Sequence, residues 1–140
     1  MQIDTSSSFG RRVVERLEHE QVVWLTTVAA DGTPQPSPVW FLWDGQQVLM
    51  YSMPKAPKLR HIQANPRVAL HFDGTSDGSD IVILTGEARI AENEPPANNM
   101  PAYAQKYAQS ITDIGMNPES FAQAYSVPVR ITPTRLRGHA

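Results

Sequence analysis

The stretch Trp24–Ser52, WLTTVAADGTPQPSPVWFLWDGQQVLMYS, decides the fold. It opens inside a β-branched and aromatic run, Gln21–Ala29, that ends on Ala30-Asp31-Gly32-Thr33. An Asp-Gly pair between two such runs is a strong hairpin signal, because glycine accepts the positive φ that tight primed turns demand. A second strand follows over Gln35–Leu42, then another Asp-Gly turn at Trp43-Asp44-Gly45-Gln46, then a third strand over Gln47–Ser52. Together they form an antiparallel meander.

The second strand carries an odd rhythm: Pro34, Pro36 and Pro38 recur at every second position. Alternate residues of a strand point their N–H groups to the same side, so one side lacks donors at three successive positions. Gln35, Ser37 and Val39 can still pair on the other side. This stretch therefore belongs at a sheet edge, at least in its first half. Two compatible readings fit it: a guard against edge-to-edge aggregation, and a gap in the wall where a flat ligand lies against backbone.

Upstream, Phe9, Val13, Val14 and Leu17 share one stripe at helical spacing, predicting a helix over Phe9–His19 capped by Ser8. Downstream, Pro54-Lys55-Ala56-Pro57 breaks the strand pattern. Pro57 suits the first turn of a short helix that carries Leu59, Ile62 and Gln63 and stops at Asn65-Pro66. Arg67–Asp73 reads as a fourth strand, Gly74–Ser79 as a loop, and Asp80–Ile90 as a long fifth strand with a bulge or bend at Gly86. Helices over Pro101–Ile111 and Pro118–Tyr125, the second capped by Asn117, precede a sixth strand, Val127–Thr132. Six short strands, turn signals and a helical insertion predict a mainly β (α+β) domain over residues 1–140, a closed or nearly closed antiparallel barrel with short flanking helices.

Composition narrows the function. Hydrophobic residues make up 41% and charged residues 19% of 140, ordinary for a globular chain. No cysteine is present, which excludes disulfides, thiolate metal sites and a cysteine nucleophile. A net charge of −2 supplies no basic field for nucleic acid. Neither a secretory signal nor an apolar run near the ~20 residues that span a bilayer occurs, so a cytoplasmic location is expected. The four histidines, His19, His61, His71 and His139, lack metal-ligand spacing, and no phosphate-binding loop or nucleophile elbow appears. With no acid, base or nucleophile set in view, any reaction would have to be carried by a cofactor.

One cluster is suggestive. Lys55, Lys58 and Arg60 surround the start of the short helix, where the dipole ordinarily favours acidic residues. They form either a solvated basic face or, with the free N–H groups there, a phosphate site. The apolar run Trp40-Phe41-Leu42-Trp43 next to an edge also argues for a subunit interface.

These residues resemble a known family. The stretch from Trp24 to Ser52, then KAPKLRHIQANPRVALHF, then TGEARI and the ending VPVRITPTRLRG are similar to the pyridoxamine-phosphate-oxidase-like FMN-binding split barrels. More narrowly, they resemble the actinobacterial type of flavin/deazaflavin oxidoreductase group B. The resemblance implies a six-stranded antiparallel split β-barrel that forms a homodimer, with coenzyme F-420 (8-hydroxy-5-deazaflavin) or FMN at the subunit interface. It places Ser37, Val39 and Trp40 along the ring, Tyr51, Ser52 and Met53 near ring and ribityl chain, and Lys55, Lys58 and Leu59 near the phosphate. Arg130 and Arg135 are candidates to reach the cofactor from the second subunit. The implied activity is hydride transfer from the reduced deazaflavin to a small organic acceptor, with solvent or Tyr51 supplying the proton. Two alternatives stand beside it: an FMN-dependent oxidase or reductase, and a non-catalytic carrier of cofactor, haem or tetrapyrrole. The chain is shorter than true pyridoxamine-phosphate oxidases and lacks their C-terminal tail of paired arginine and tryptophan, which argues against that substrate.

Overall fold

In the computed structural model, which describes residues 1–139, helix α1 spans Ser8–His19. Its cap is Ser7, one residue before the expected Ser8, because the Ser7 hydroxyl is the one that accepts from the Gly10 N–H, at 2.9 Å. The meander follows: β1 (Val22–Val28), β2 (Pro34–Trp40), β3 (Leu42–Trp43) and β4 (Val48–Ser52). Helix α2 (Pro57–Ala64) precedes β5 (Arg67–His71) and β6 (Ile81–Ile90). A 3-10 turn at Ala97–Asn99 leads into α3 (Pro101–Asp113) and α4 (Pro118–Ala124), and β7 (Val127–His139) ends the chain. Asn117 caps α4 as expected, in a reciprocal capping box with Ser120.

The strands form one antiparallel sheet of seven in the order β2-β1-β5-β6-β7-β4-β3. That is one strand more than the six expected. The predicted strand Gln35–Leu42 breaks at Phe41, whose polar backbone groups bond to α3 rather than to a strand: Tyr107 accepts the N–H and Lys106 donates to the C=O. The last strand also outruns its expected end at Thr132, because the long β6 accompanies it to His139. Its register shifts between Thr85 and Gly86, leaving Thr134 as the extra residue of a bulge. Gly86 is required there, since a Cβ would collide with the Thr132 carbonyl of the partner strand.

The two edge strands, β2 and β3, are neighbours in sequence separated only by Phe41. The sheet must therefore curl until its edges meet, and the curl creates an inside. Val23, Leu25, Val39, Met50, Leu70 and Leu84 fill it, with Phe41 wholly buried among them. Burying an aliphatic side chain of this size contributes about 1.5–3 kcal/mol relative to exposure, so this interior is the main source of stability. A second cluster lies outside the curl, where α3 and α4 cover Leu49 and Tyr51 with Tyr103, Tyr107, Ile111 and Phe121.

The proline strand is an edge, as its rhythm demands. β2 pairs only with β1, with Gln35 opposite Thr27, Ser37 opposite Leu25 and Val39 opposite Val23. On its other side β1 pairs Trp24 and Thr26 with β5. Odd-numbered residues of β1 therefore bond to β2 and even-numbered ones to β5. It follows that Pro34, Pro36 and Pro38, opposite Val28, Thr26 and Trp24, turn their carbonyls away from the sheet.

Candidate functional site

Beyond Phe41 the curled sheet does not close. β3 pairs with β4 only at Leu42–Leu49 and Trp43–Val48, while β2 and the rest of β4 face each other across a seam without pairing. A cavity of about 330 Å³ lies in that seam, within the usual range for small-molecule sites. It meets both inward side chains (Val39, Met50, Ser52) and outward ones (Trp40, Tyr51, Met53), as a space running along two strand edges must.

Six of the nine residues singled out in the sequence line this one cavity: Val39, Trp40, Tyr51, Ser52, Met53 and Lys58. Three do not. Ser37 sits half-buried on β2 opposite Leu25. Lys55 is exposed in the turn before α2. Leu59 is buried under α2 and borders a neighbouring cavity of about 410 Å³ together with Arg60.

The helical insertion supplies the opposite wall, which the sequence reading did not foresee. Tyr103, Phe121 and Tyr125 face the cavity, and Ile114 stands at its rim. Trp40 is fixed by stacking on Tyr107, at 4.8 Å between centroids and 8° between planes, and on Phe121 at 5.5 Å. The available signal was the spacing Tyr103-Tyr107-Ile111, a helical stripe that marks a buried face without saying what it covers.

Lys58 is the cavity's one charged side chain. Among the described residues no carboxylate pairs with it, and burial holds its ammonium below the ordinary lysine pKa. It stands in the first turn of α2, where Ala56 offers no side-chain cap and no acidic residue follows. Pro57 has no N–H and the Leu59 N–H is taken by the Ala56 carbonyl at 3.1 Å, so the electropositive end offered to an anion is the Lys58 ammonium with its own N–H.

The Tyr51 hydroxyl donates to the Pro95 carbonyl at 2.8 Å, and burial pushes its pKa up to about 12. Arg130 is held within its own chain by Glu94 at 2.8 Å and Asp44 at 2.9 Å. Arg135 lies on β7 opposite Thr85, away from the cavity. Among the described residues no three His, Asp or Glu side chains are placed to hold a metal. No helix among them is long and apolar enough to cross a membrane.

A curled antiparallel sheet with an apolar, aromatic-walled seam and one cation at a helix start defines a split-barrel protein. Residues 9–140 match the family described as pyridoxamine 5'-phosphate oxidase, the FMN-binding split barrels, and the chain belongs to that family. Among solved structures it is similar to a Listeria innocua protein assigned to the pyridoxamine 5'-phosphate oxidases, with 25% identity and a TM-score of 0.67 over 91% of this chain and 94% of that one. An F420 reductase is similar at 26% identity and a TM-score of 0.66, over 88% and 94%. The haem storage protein HutZ from Vibrio cholerae shares the fold at 17% identity and a TM-score of 0.63, over 99% and 95%. No curated protein matches the sequence.

Proposed function

We propose that the protein is a cytoplasmic homodimeric oxidoreductase that binds coenzyme F-420 or FMN in the seam cavity and passes a hydride to a small electron-poor acceptor. The observation that carries this reading is the pairing of an aromatic and apolar slot with a single half-buried ammonium that has no carboxylate partner among the described residues. A flat ring system ending in a phosphate matches both halves of that site, and both cofactors have this shape. The family membership and the similar F420 reductase support the same reading.

When bound, the cofactor supplies the hydride chemistry, which nothing in the chain's own side chains replaces. The chain positions it. Val39 and Trp40 on β2, Ser52 at the end of β4 and Met53 just after it would flank the ring, with Ser37 further along the edge of β2. Lys58 would hold the phosphate, with the exposed Lys55 reaching it from the turn before α2 and Leu59 packed beneath the helix. Tyr51 keeps its proton on Pro95 at neutral pH, so solvent is the better source of the proton that completes the reduction.

The apolar run Trp40–Trp43 is largely covered within the chain, by the helices, and no longer argues for a dimer. The rim of the cavity does. Met53 and Ile114 are half exposed there, at 50% and 51%, an arrangement that a second subunit would cover.

Titration of the purified protein with F-420 and with FMN, followed by absorbance and fluorescence, tests the binding. Stopped-flow oxidation of the reduced complex by quinones and enones tests the turnover, and light scattering tests the dimer. Saturable binding with oxidation faster than the free cofactor supports the proposal. Failure of both cofactors to bind overturns it.

A further inference from the structure

The two banks of the seam differ in what they offer a ligand. On β4, Tyr51 lies opposite Pro128, whose carbonyl is already taken by the Ala91 N–H. Tyr51 therefore turns its own N–H and C=O away from β7 and toward the seam. This bank presents a donor and an acceptor. On β2 the outward groups belong to Trp40, Pro38, Pro36 and Pro34. Below Trp40 that edge is a row of carbonyls with no N–H between them, spaced at every second residue. Pro38 also lines the cavity, so the row begins at the site itself. An ordinary edge strand alternates donors and acceptors and binds either; here the Trp40 N–H is the last donor, and from Pro38 on the edge rewards only donors, so that an acceptor set against it meets repulsion between oxygen lone pairs.

We propose that the proline carbonyl row makes the site select the donor-bearing form of its ring ligand, which for a flavin is the reduced form. This rests on the reading that a flavin-type ring occupies the seam. Two electrons and two protons turn the N5 and N1 of a flavin from acceptors into N–H donors, or with one proton leave N1 negative, while the imide N–H and the phosphate stay as they were. Lys58, set against the phosphate, answers only to charge at N1 and acts equally in wild type and Pro38→Ala, whereas the carbonyl row answers to the new N–H at N5. Backbone, rather than any side chain, is then the group that sets the ligand's redox preference.

The test uses the full-length protein with FMN as probe. The dissociation constant of oxidised FMN is measured by fluorescence, and the midpoint potential of bound FMN by equilibration with reference dyes. Reduced FMN is expected to bind at least tenfold more tightly than oxidised FMN, which raises the two-electron potential by about 30 mV over free FMN. Pro38→Ala puts an N–H back into the row at the cavity and should bring the potential back toward the free value. Pro34→Ala, on the same strand but outside the cavity, should leave it raised, and serves as the control for strand stability. FMN that binds with an unshifted or lowered potential overturns this inference and leaves the cofactor reading standing. A raised potential that survives Pro38→Ala in a folded protein also overturns it. Absence of FMN binding overturns it together with the FMN form of the proposed function.

Discussion

The Tyr107 hydroxyl stands where a neighbouring strand would be, accepting the Phe41 N–H at 2.8 Å and handing its own proton to the Gln21 carbonyl at 2.6 Å. Phe41 is the single residue between the two edges of the sheet, and its carbonyl is taken by the Lys106 ammonium at 2.9 Å. Two consecutive residues of α3 thus satisfy both polar groups of the residue at which the strand breaks. The same Tyr107 ring stacks on Trp40, which lines the cavity.

Replacing Tyr107 by Phe removes this oxygen and leaves the buried Phe41 N–H without a partner. A stranded buried donor costs about 1–3 kcal/mol, so urea unfolding should show a loss of about 2 kcal/mol. Tyr103 is equally buried, but its hydroxyl makes no hydrogen bond among the described residues. Tyr103→Phe should therefore change stability by much less than Tyr107→Phe, and equal losses would show that the hydroxyl at Phe41 has no special part.

Lys106 gives a pH signature. Its ammonium lies 3.9 Å from the Phe41 ring centre, and burial pushes its pKa down to about 8 from the ordinary lysine value. Between pH 8 and roughly 10.4 the unfolded chain therefore holds a proton that the folded chain has released. Stability from this group rises with pH across that window and is lowest below pH 8. The difference in unfolding free energy between wild type and Lys106→Met should grow in favour of the wild type from pH 8 to 10. A difference that is flat with pH would mean the ammonium is not perturbed.

Lys58 and Lys55 should separate binding from folding. Charge-assisted contacts to phosphate typically contribute about 1.5–3 kcal/mol each, so Lys58→Ala with Lys55→Ala should weaken F-420 or FMN at least tenfold. Thermal stability should stay level or rise, because Lys58 is a half-buried charge without a carboxylate. Added salt should weaken binding in the wild type more than in the double variant. An unchanged dissociation constant would reduce the pair to a solvated face.

Gly86→Ala should be among the most damaging single-methyl changes in the chain. The added Cβ meets backbone on β7, at Thr132 and Pro133, and backbone cannot rotate away as a side chain can. Overpacking costs about 1–3 kcal/mol even where side chains can adjust, so the melting temperature should fall by several degrees. A variant as stable as wild type would show that the bulge at Thr134 slides freely.

Local chemistry was legible in the sequence, and remote chemistry was not. The proline rhythm placed β2 at an edge because proline lacks an N–H wherever it stands. Gly86 marked its bulge, Asn117 its cap, and the Asp-Gly pairs their hairpins, each by a preference confined to a few residues. The break at Phe41 left no such mark. Phe41 sits in an apolar run that reads as continuous strand, and its partners lie 65 and 66 positions away on α3. For the site the division is the same. Strand residues that flank the seam were found from the strand pattern, whereas Tyr103, Phe121 and Tyr125 face it only because the insertion folds back over β4. Leu59 and Lys55 flank Lys58 in sequence, but neither lines the cavity: Leu59 borders the neighbouring one, and Lys55 lies exposed in the turn before α2.

Everywhere else around the barrel, adjacent strands hold one another through ladders, the longest running ten residue pairs between β6 and β7. At the seam no ladder joins β2 to β4 among the described residues; the ties are the backbone through Phe41 and side chains of α3 and α4 packed across both banks. Thermal breathing that costs least will therefore part the wall there, between Trp40 and Tyr51, while the ladder on the far side stays shut. The wall is built as a clasp, held by its longest ladder opposite the seam, and the line along which it would part is also the doorway a ligand would use.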